Sequence, residues 1–262
     1  MNTPDQNAFM RRIRAALGHP PDEPPEAGRL FPAGPAPEDL ELIERVRRRT
    51  PQGRQALVER LIEAAAPIHL DVTPLADRAY VTAAIARLAA EKEPEWGGAK
   101  KVAAWRHPLV AGLDLPETLG RLQIPVHVTN PLAPAEAADP ESARAARERQ
   151  RAAIEAAFIG VTAADFCLAD TGTLVMRNRP GEPRSVALVP AIHVAVITLE
   201  QILADMKELF ALLRWDERYR EEGLSNYMSF ISGPSKTADI EATMVHGAHG
   251  PREVHIFVIT GR

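Results

Sequence analysis

Three short polar loops carry the residues of this sequence that are best suited to chemistry. The first, 169–173, reads Ala-Asp-Thr-Gly-Thr and lies between two apolar stretches. Gly172 permits a positive φ or a close approach of the backbone to a ligand, and polar side chains then line the bend. The alternative is a tight turn whose side chains satisfy their own backbone. The candidate ligand-binding residues of this loop are Asp170, Thr171, Gly172 and Thr173.

The second loop, 232–241, reads Ser-Gly-Pro-Ser-Lys-Thr-Ala-Asp-Ile-Glu and follows an apolar stretch. Its Gly-Pro turn predicts a short helix that begins near Ser235. Free N–H groups at a helix N-terminus, hydroxyls and one lysine suit a phosphate or a carboxylate. Capping of that helix by Ser235 is the alternative. The candidate ligand-binding residues here are Ser232, Gly233, Ser235, Lys236, Thr237 and Asp239.

The third loop, 246–251, reads His-Gly-Ala-His-Gly-Pro. Its His246 and His249 are further candidate ligand-binding residues. Their spacing matches no helical zinc motif, so we predict no metal site, and a glycine-shaped turn is the simplest alternative. If the three loops catalyse a reaction, the candidate acid–base residues are Asp170, Glu241 and His249.

Composition excludes several classes of function. The chain has 262 residues, a formal net charge of -4 and a pI near 6.1, which disfavours nucleic-acid binding. No apolar stretch approaches the roughly 20 residues needed to span a bilayer, which disfavours membrane insertion. Its one cysteine, Cys167, cannot form an internal disulfide or hold an iron–sulfur cluster. We therefore expect no cofactor on this chain. The charged N-terminus lacks the apolar core of a signal peptide, so we expect a cytoplasmic protein.

The elements that must position the loops alternate between helix and strand. A short amphipathic helix and a Pro-rich arm are predicted over 1–37, and a single α/β domain over 38–262. Thr73 and Pro74 predict a helix start. Strands are predicted within 67–72, 101–105, 124–128, 158–161, 166–168, 173–176, 185–189, 192–197, 227–231 and 254–259, and a helical stripe over 199–213. This alternation predicts a mainly parallel sheet covered on both faces, with the loops outside the carboxyl ends of its strands.

Five segments together resemble one family in their order and spacing over 158–259. They read Gly-Val-Thr (160–162), Ala-Asp-Thr-Gly-Thr-Leu-Val (169–175), Leu-Val-Pro-Ala-Ile-His-Val (188–194), and the second and third loops. These segments resemble the LUD-domain family, which includes lactate utilisation protein C. The resemblance implies a three-layer α/β fold similar to that of ribose-5-phosphate isomerase, glucosamine-6-phosphate deaminase and the CoA transferases.

The resemblance also implies a role in the oxidation of L-lactate to pyruvate beside iron–sulfur partner proteins. The chain would then be a non-redox component that binds a small anionic metabolite, or those partners, through the three loops. The second hypothesis is a stand-alone enzyme that acts on a phosphorylated or CoA-linked metabolite. Whether the chain catalyses a reaction is open at this point, because the resemblance assigns no catalytic residue.

Overall fold

Six parallel strands form the central sheet of the computed structural model, in the order β1-β12-β7-β4-β2-β3. The structure describes residues 6–18, 20, 34–94, 97–131, 133, 138–220, 227–240, 243–246 and 249–261, without the side chains of 6, 7, 220, 237–240 and 243–246. The central strands are β1 (Asp71–Leu75), β2 (Val102–Ala104), β3 (Val126–Val128), β4 (Ile159–Ala163), β7 (Ile192–Thr198) and β12 (Glu253–Ile259).

Two smaller sheets carry the predicted loops. A four-stranded sheet has the order β8-β5-β6-β9, and a two-stranded hairpin pairs β10 with β11. The first loop is the connection between the antiparallel strands β5 and β6, and the second loop leaves β9 and enters β10. These strands are β5 (Phe166–Leu168), β6 (Thr173–Arg177), β8 (Ile202–Leu203), β9 (Met228–Ser232), β10 (Lys236–Ile240) and β11 (Thr243–His246).

Ten helices are described, and two compact units divide them. Residues 1–41 form one unit, which contains α1 and the start of α2, and residues 42–262 form the other. None of the described helices is long and apolar enough to cross a membrane. They are α1 (Gln6–Ala16), α2 (Pro37–Arg47), α3 (Pro51–Ala65), α4 (Arg78–Glu91), α5 (Pro108–Ala111), α6 (Leu115–Gly120), α7 (Pro140–Glu155), α8 (Ser185–Leu188), α9 (Met206–Trp215) and α10 (Glu217–Arg220).

The inner strands of the central sheet are mostly buried on both faces, as their apolar residues predict, whereas the edge strand β1 is largely exposed. One face packs against α4, α5 and α6, and the other packs against α3, α7, α8 and the four-stranded sheet. The outer face of the four-stranded sheet packs against α9. The α/β fold with a mainly parallel sheet is therefore confirmed. Most of the Pro-rich arm lies outside the described residues, so its conformation stays a prediction.

Three predicted elements are wrong. Thr73 and Pro74 lie in β1, because an edge strand tolerates a proline that lacks an N–H, and Asp77 caps α4 instead. The segment predicted as a strand over 185–189 is the short helix α8. The stripe over 199–213 is a 3-10 turn (Leu199–Gln201), then β8, then α9, which begins after its N-cap Asp205.

Candidate functional site

A line of three hydroxyl groups ends on a carboxylate where the first two loops meet. Thr173 and Ser232 face each other across β6 and β9, and their Oγ atoms lie 2.8 Å apart. Thr171 Oγ1 lies 2.8 Å from Thr173 Oγ1 and 3.2 Å from Asp170 Oδ1. We call these four residues the hydroxyl chain. Thr173 is 5% exposed, whereas Thr171 and Ser232 are exposed. The hydroxyl chain therefore has a buried hydroxyl, that of Thr173, between two exposed ones.

The donors along the hydroxyl chain follow from the number of protons. A carboxylate oxygen accepts, so the Thr171 hydroxyl donates to Asp170 and its single proton is used. The Thr173 hydroxyl must then donate to Thr171, and the Ser232 hydroxyl must donate to Thr173. Ser232 Oγ therefore presents its lone pairs at the surface. It is an acceptor for a ligand hydroxyl or N–H rather than a donor to an anion.

The segment before β1 is the meeting point of the first two loops. Gly172 and Gly233 have φ values of +63° and +80°, in the region that favours glycine. A Cβ at Gly172 would lie 3.4 Å from Ile68 Cδ1, and one at Gly233 would lie 3.4 Å from the Ile68 carbonyl oxygen. Lys236 Nζ donates to that same carbonyl at 2.9 Å. Lys236 is exposed, so its ammonium adjoins Gly233 and still faces solvent.

The third loop is bonded to the second. The Ser235 N–H donates to the Pro251 carbonyl at 2.8 Å, and the His249 N–H donates to Ser235 Oγ at 3.4 Å. A Cβ at Gly250 would lie 3.3 Å from Ser235 Cβ. The loops thus form one continuous surface. The binding of a ligand to that surface stays a prediction.

The predicted helix near Ser235 is wrong. Lys236–Ile240 is the strand β10, and Lys236 pairs with His246 of β11. Residues 236–240 find their backbone partners in a hairpin, so no helix N-terminus is present to bind an anion. Thr237 and Asp239 lie on β10, but their side chains and that of His246 lie outside the described residues, as does Glu241.

The predicted edge of the sheet is also wrong. Ile68 precedes β1 and Pro251 precedes β12, so the three loops lie at the amino ends of these parallel strands rather than at their carboxyl ends. The connections explain this: β5 and β6 form a hairpin of the smaller sheet, which brings its turn back to the start of β1. Sequence reasoning missed Ile68, because a backbone carbonyl leaves no signal in the type of its residue.

The buried cysteine is not suited to bind a metal. Cys167 is fully buried in the core, and burial raises the pKa of its thiol. Within the described part of the chain, no group of three or more His, Cys, Asp or Glu side chains is placed to hold a metal ion.

Comparison with known proteins identifies the family. The profile of the LUD domain matches residues 58–259, which is most of the chain. Lactate utilization protein C of Halalkalibacterium halodurans is 38% identical over 108 residues, 41% of this chain and 46% of that protein. The protein of the same name from Anoxybacillus flavithermus is 36% identical over 110 residues, 42% of this chain and 47% of its own. Each match thus spans about half the length of the relative.

One solved structure is also similar. It is a DUF162 family protein from Deinococcus radiodurans, with 17% identity and a TM-score of 0.45 over 79% of this chain and 98% of that one.

Proposed function

Because the chain belongs to the LUD domain family, we propose that it serves lactate utilisation by binding a small 2-hydroxy acid anion at the hydroxyl chain and Lys236. The observation that carries this proposal is the direction of the hydroxyl chain. A 2-hydroxy acid has one O–H that donates and one carboxylate that needs a cation. Ser232 Oγ offers the acceptor, and the Lys236 ammonium offers the charge.

Lys236 has donors left for such a carboxylate. An ammonium has three N–H groups, and the only bond that the described residues give this one is to the Ile68 carbonyl. Two N–H groups therefore remain. A carboxylate bound by them forms a charge-assisted hydrogen bond, which is stronger than a bond between neutral groups.

Electron transfer would fall to other proteins in this proposal. The matched relatives are named for lactate utilisation, and oxidation of a hydroxyl to a carbonyl releases two electrons. The buried thiol of Cys167 offers no ligand for a cluster. We therefore propose that iron–sulfur partner proteins accept the electrons, and that this chain is a non-redox component that holds the small anion.

The alternative of a stand-alone enzyme on a phosphorylated or CoA-linked metabolite receives less support from these loops. It needed an anion site for the phosphate in the second loop, and the helix N-terminus predicted as part of that site is replaced by the strand β10. The exposed imidazole of His249 could still act on a ligand. No bond of its ring to the hydroxyl chain supports that role among the described residues.

A ranking of three ligands tests the proposal. L-lactate, pyruvate and propionate share a carboxylate, but lactate alone has a hydroxyl that can donate to Ser232. NMR titration of the purified protein should give the tightest binding for L-lactate. Propionate and pyruvate should each bind about fivefold to tenfold more weakly, the cost of one hydrogen bond. Equal affinities for the three acids would show that Ser232 accepts no hydrogen bond from the ligand hydroxyl. If none of the three acids binds, the proposed anion site is wrong.

A further inference from the structure

A cavity opens at the other end of the central sheet from the loops. It has a volume of about 830 Å³ and lies at the carboxyl ends of β1, β7 and β12. That edge is where open α/β sheets usually bind their ligands. Its volume is within the usual range for sites that take organic molecules. The residues that line it include Thr198, Leu199, Ile259, Thr260 and Gly261, which directly follow or end β7 and β12.

Three arginines line this cavity, and they differ in what they already bind. Arg49 is 11% exposed; it bonds to Glu208 at 2.6 Å and to the Ile202 carbonyl at 3.1 Å, so it is structural. Among the described residues, Arg54 has a single ion-pair contact, at 3.5 Å with Glu200, whose side chain is 67% exposed. Arg78 forms no ion pair with any residue that the structure describes. Arg54 and Arg78 therefore have guanidinium donors that a ligand can use.

The carboxylates around the cavity do not neutralise these two arginines. Asp77 caps α4, and its Oδ1 accepts the N–H groups of Ala79 and Tyr80 at 2.8 and 3.1 Å. Glu200 is the other acidic residue of the lining, and solvent screens its long contact with Arg54. The Arg78 guanidinium lies over Gly112, where a Cβ would be 3.1 Å from one of its nitrogens.

We propose that this carboxyl-edge cavity binds an organic phosphate of nucleotide size, with Arg54 and Arg78 on the phosphate group. The planar fork of a guanidinium matches phosphate oxygens in pairs, which favours phosphate over a simple halide. Leu109, Leu199 and Ile259 give the remaining wall an apolar surface for the organic part. A cavity of this volume is far larger than a lactate-sized anion needs. This site is separate from the loops and does not depend on the function proposed for them.

Calorimetric titration of the full chain with AMP, inorganic phosphate and adenosine tests the proposal. AMP should bind saturably and more tightly than either inorganic phosphate or adenosine. Arg54→Gln and Arg78→Gln should each weaken AMP about tenfold or more, the effect of one charge-assisted hydrogen bond. Arg87→Gln is the matched control. Arg87 is exposed and lies on α4, the helix of Arg78, but it does not line the cavity. It should leave the affinity unchanged.

Two further variants keep both arginines. Glu200→Gln removes the competing carboxylate from an exposed position and should tighten AMP binding. Gly112→Ala places a methyl against the Arg78 guanidinium and should weaken the binding of AMP. The proposal is overturned by any of three results. These are no saturable binding of AMP at millimolar concentration, equal affinity for AMP and inorganic phosphate or adenosine, and AMP binding that is insensitive to Arg54 and Arg78.

Discussion

Thr173 Oγ1 and Ser232 Oγ lie 2.8 Å apart across the paired strands β6 and β9, and this contact joins the first loop to the second. Asp170 fixes the direction in which the hydroxyls donate. Because Thr173 is buried and Ser232 is exposed, this direction extends to the protein surface. The order of donors makes the Ser232 oxygen an acceptor. A ligand that binds here must therefore supply the hydrogen-bond donor to Ser232 Oγ.

Removal of the middle hydroxyl should change which acid is preferred. In Thr173→Val the Ser232 hydroxyl loses its acceptor and can donate to a ligand instead. We expect the ratio of L-lactate to pyruvate affinity to fall by about fivefold or more, the effect of one hydrogen bond. NMR titration with both acids measures this ratio. Thr118→Val, on α6, is the control and should keep the wild-type ratio; an unchanged ratio in Thr173→Val would refute the assigned order of donors.

Gly160 is required by the close approach of α8 to β4. A Cβ at this position would lie 1.8 Å from the Val186 carbonyl oxygen, and that oxygen belongs to the backbone of α8. Gly160→Ala should lower the free energy of unfolding by more than about 3 kcal/mol, because the backbone of α8 would have to shift to make room for the methyl. Urea denaturation measures the loss. In Gly120→Ala the new methyl meets no atom within 4 Å apart from its chain neighbours and the backbone of its own helix, so that control should lose little.

His193 should make the protein sensitive to acid. It is fully buried on β7, with Nε2 at 2.8 Å from Thr162 Oγ1, and burial lowers the pKa of its imidazole to about 3. In the unfolded chain His193 takes up a proton near pH 6.5. In the folded chain it stays unprotonated down to about pH 3. Stability is therefore lost as the pH falls through this window.

The size of this effect follows from linkage. Between pH 7 and pH 5, the wild type should lose roughly 2 kcal/mol more free energy of unfolding than His193→Gln, which has no group to titrate there. Urea denaturation at the two pH values, with both proteins, measures the difference. Parallel losses in the two proteins would mean that His193 is protonated in the folded state.

Much of the fold could be predicted from the sequence, because its signals are local. The continuous apolar runs in β7 and β12 indicate strands buried on both faces, and Asp139 caps α7 as its type and the following proline predict. The helix expected at Ser235 was wrong because Lys236–Ile240 pairs with the next strand, Thr243–His246, in a hairpin.

The residue types of the candidate loops come from the sequence, and their role as a ligand site stays a prediction, but their place in the fold could not be predicted. The loops were identified from their polar residues and glycines, whereas their position at the amino ends of β1 and β12 depends on the order of six strands. The run 45–49 shows the same limit. It has the composition of a solvated helix face, yet Arg49 is bonded to Glu208, a residue that is 2% exposed and more than a hundred positions away.

The affinity of L-lactate for Lys236→Met tests the central claim most directly, because Lys236 supplies the charge of the proposed site. Calorimetry should show L-lactate binding to the wild type and a loss of about 1.5–3 kcal/mol in the variant, the range for a hydrogen bond to a charged group. The melting temperature should barely change, since an exposed lysine contributes little to stability. Lys207→Met, on the exposed start of α9, should bind as the wild type does. Equal affinities of the wild type and Lys236→Met for L-lactate would contradict the account.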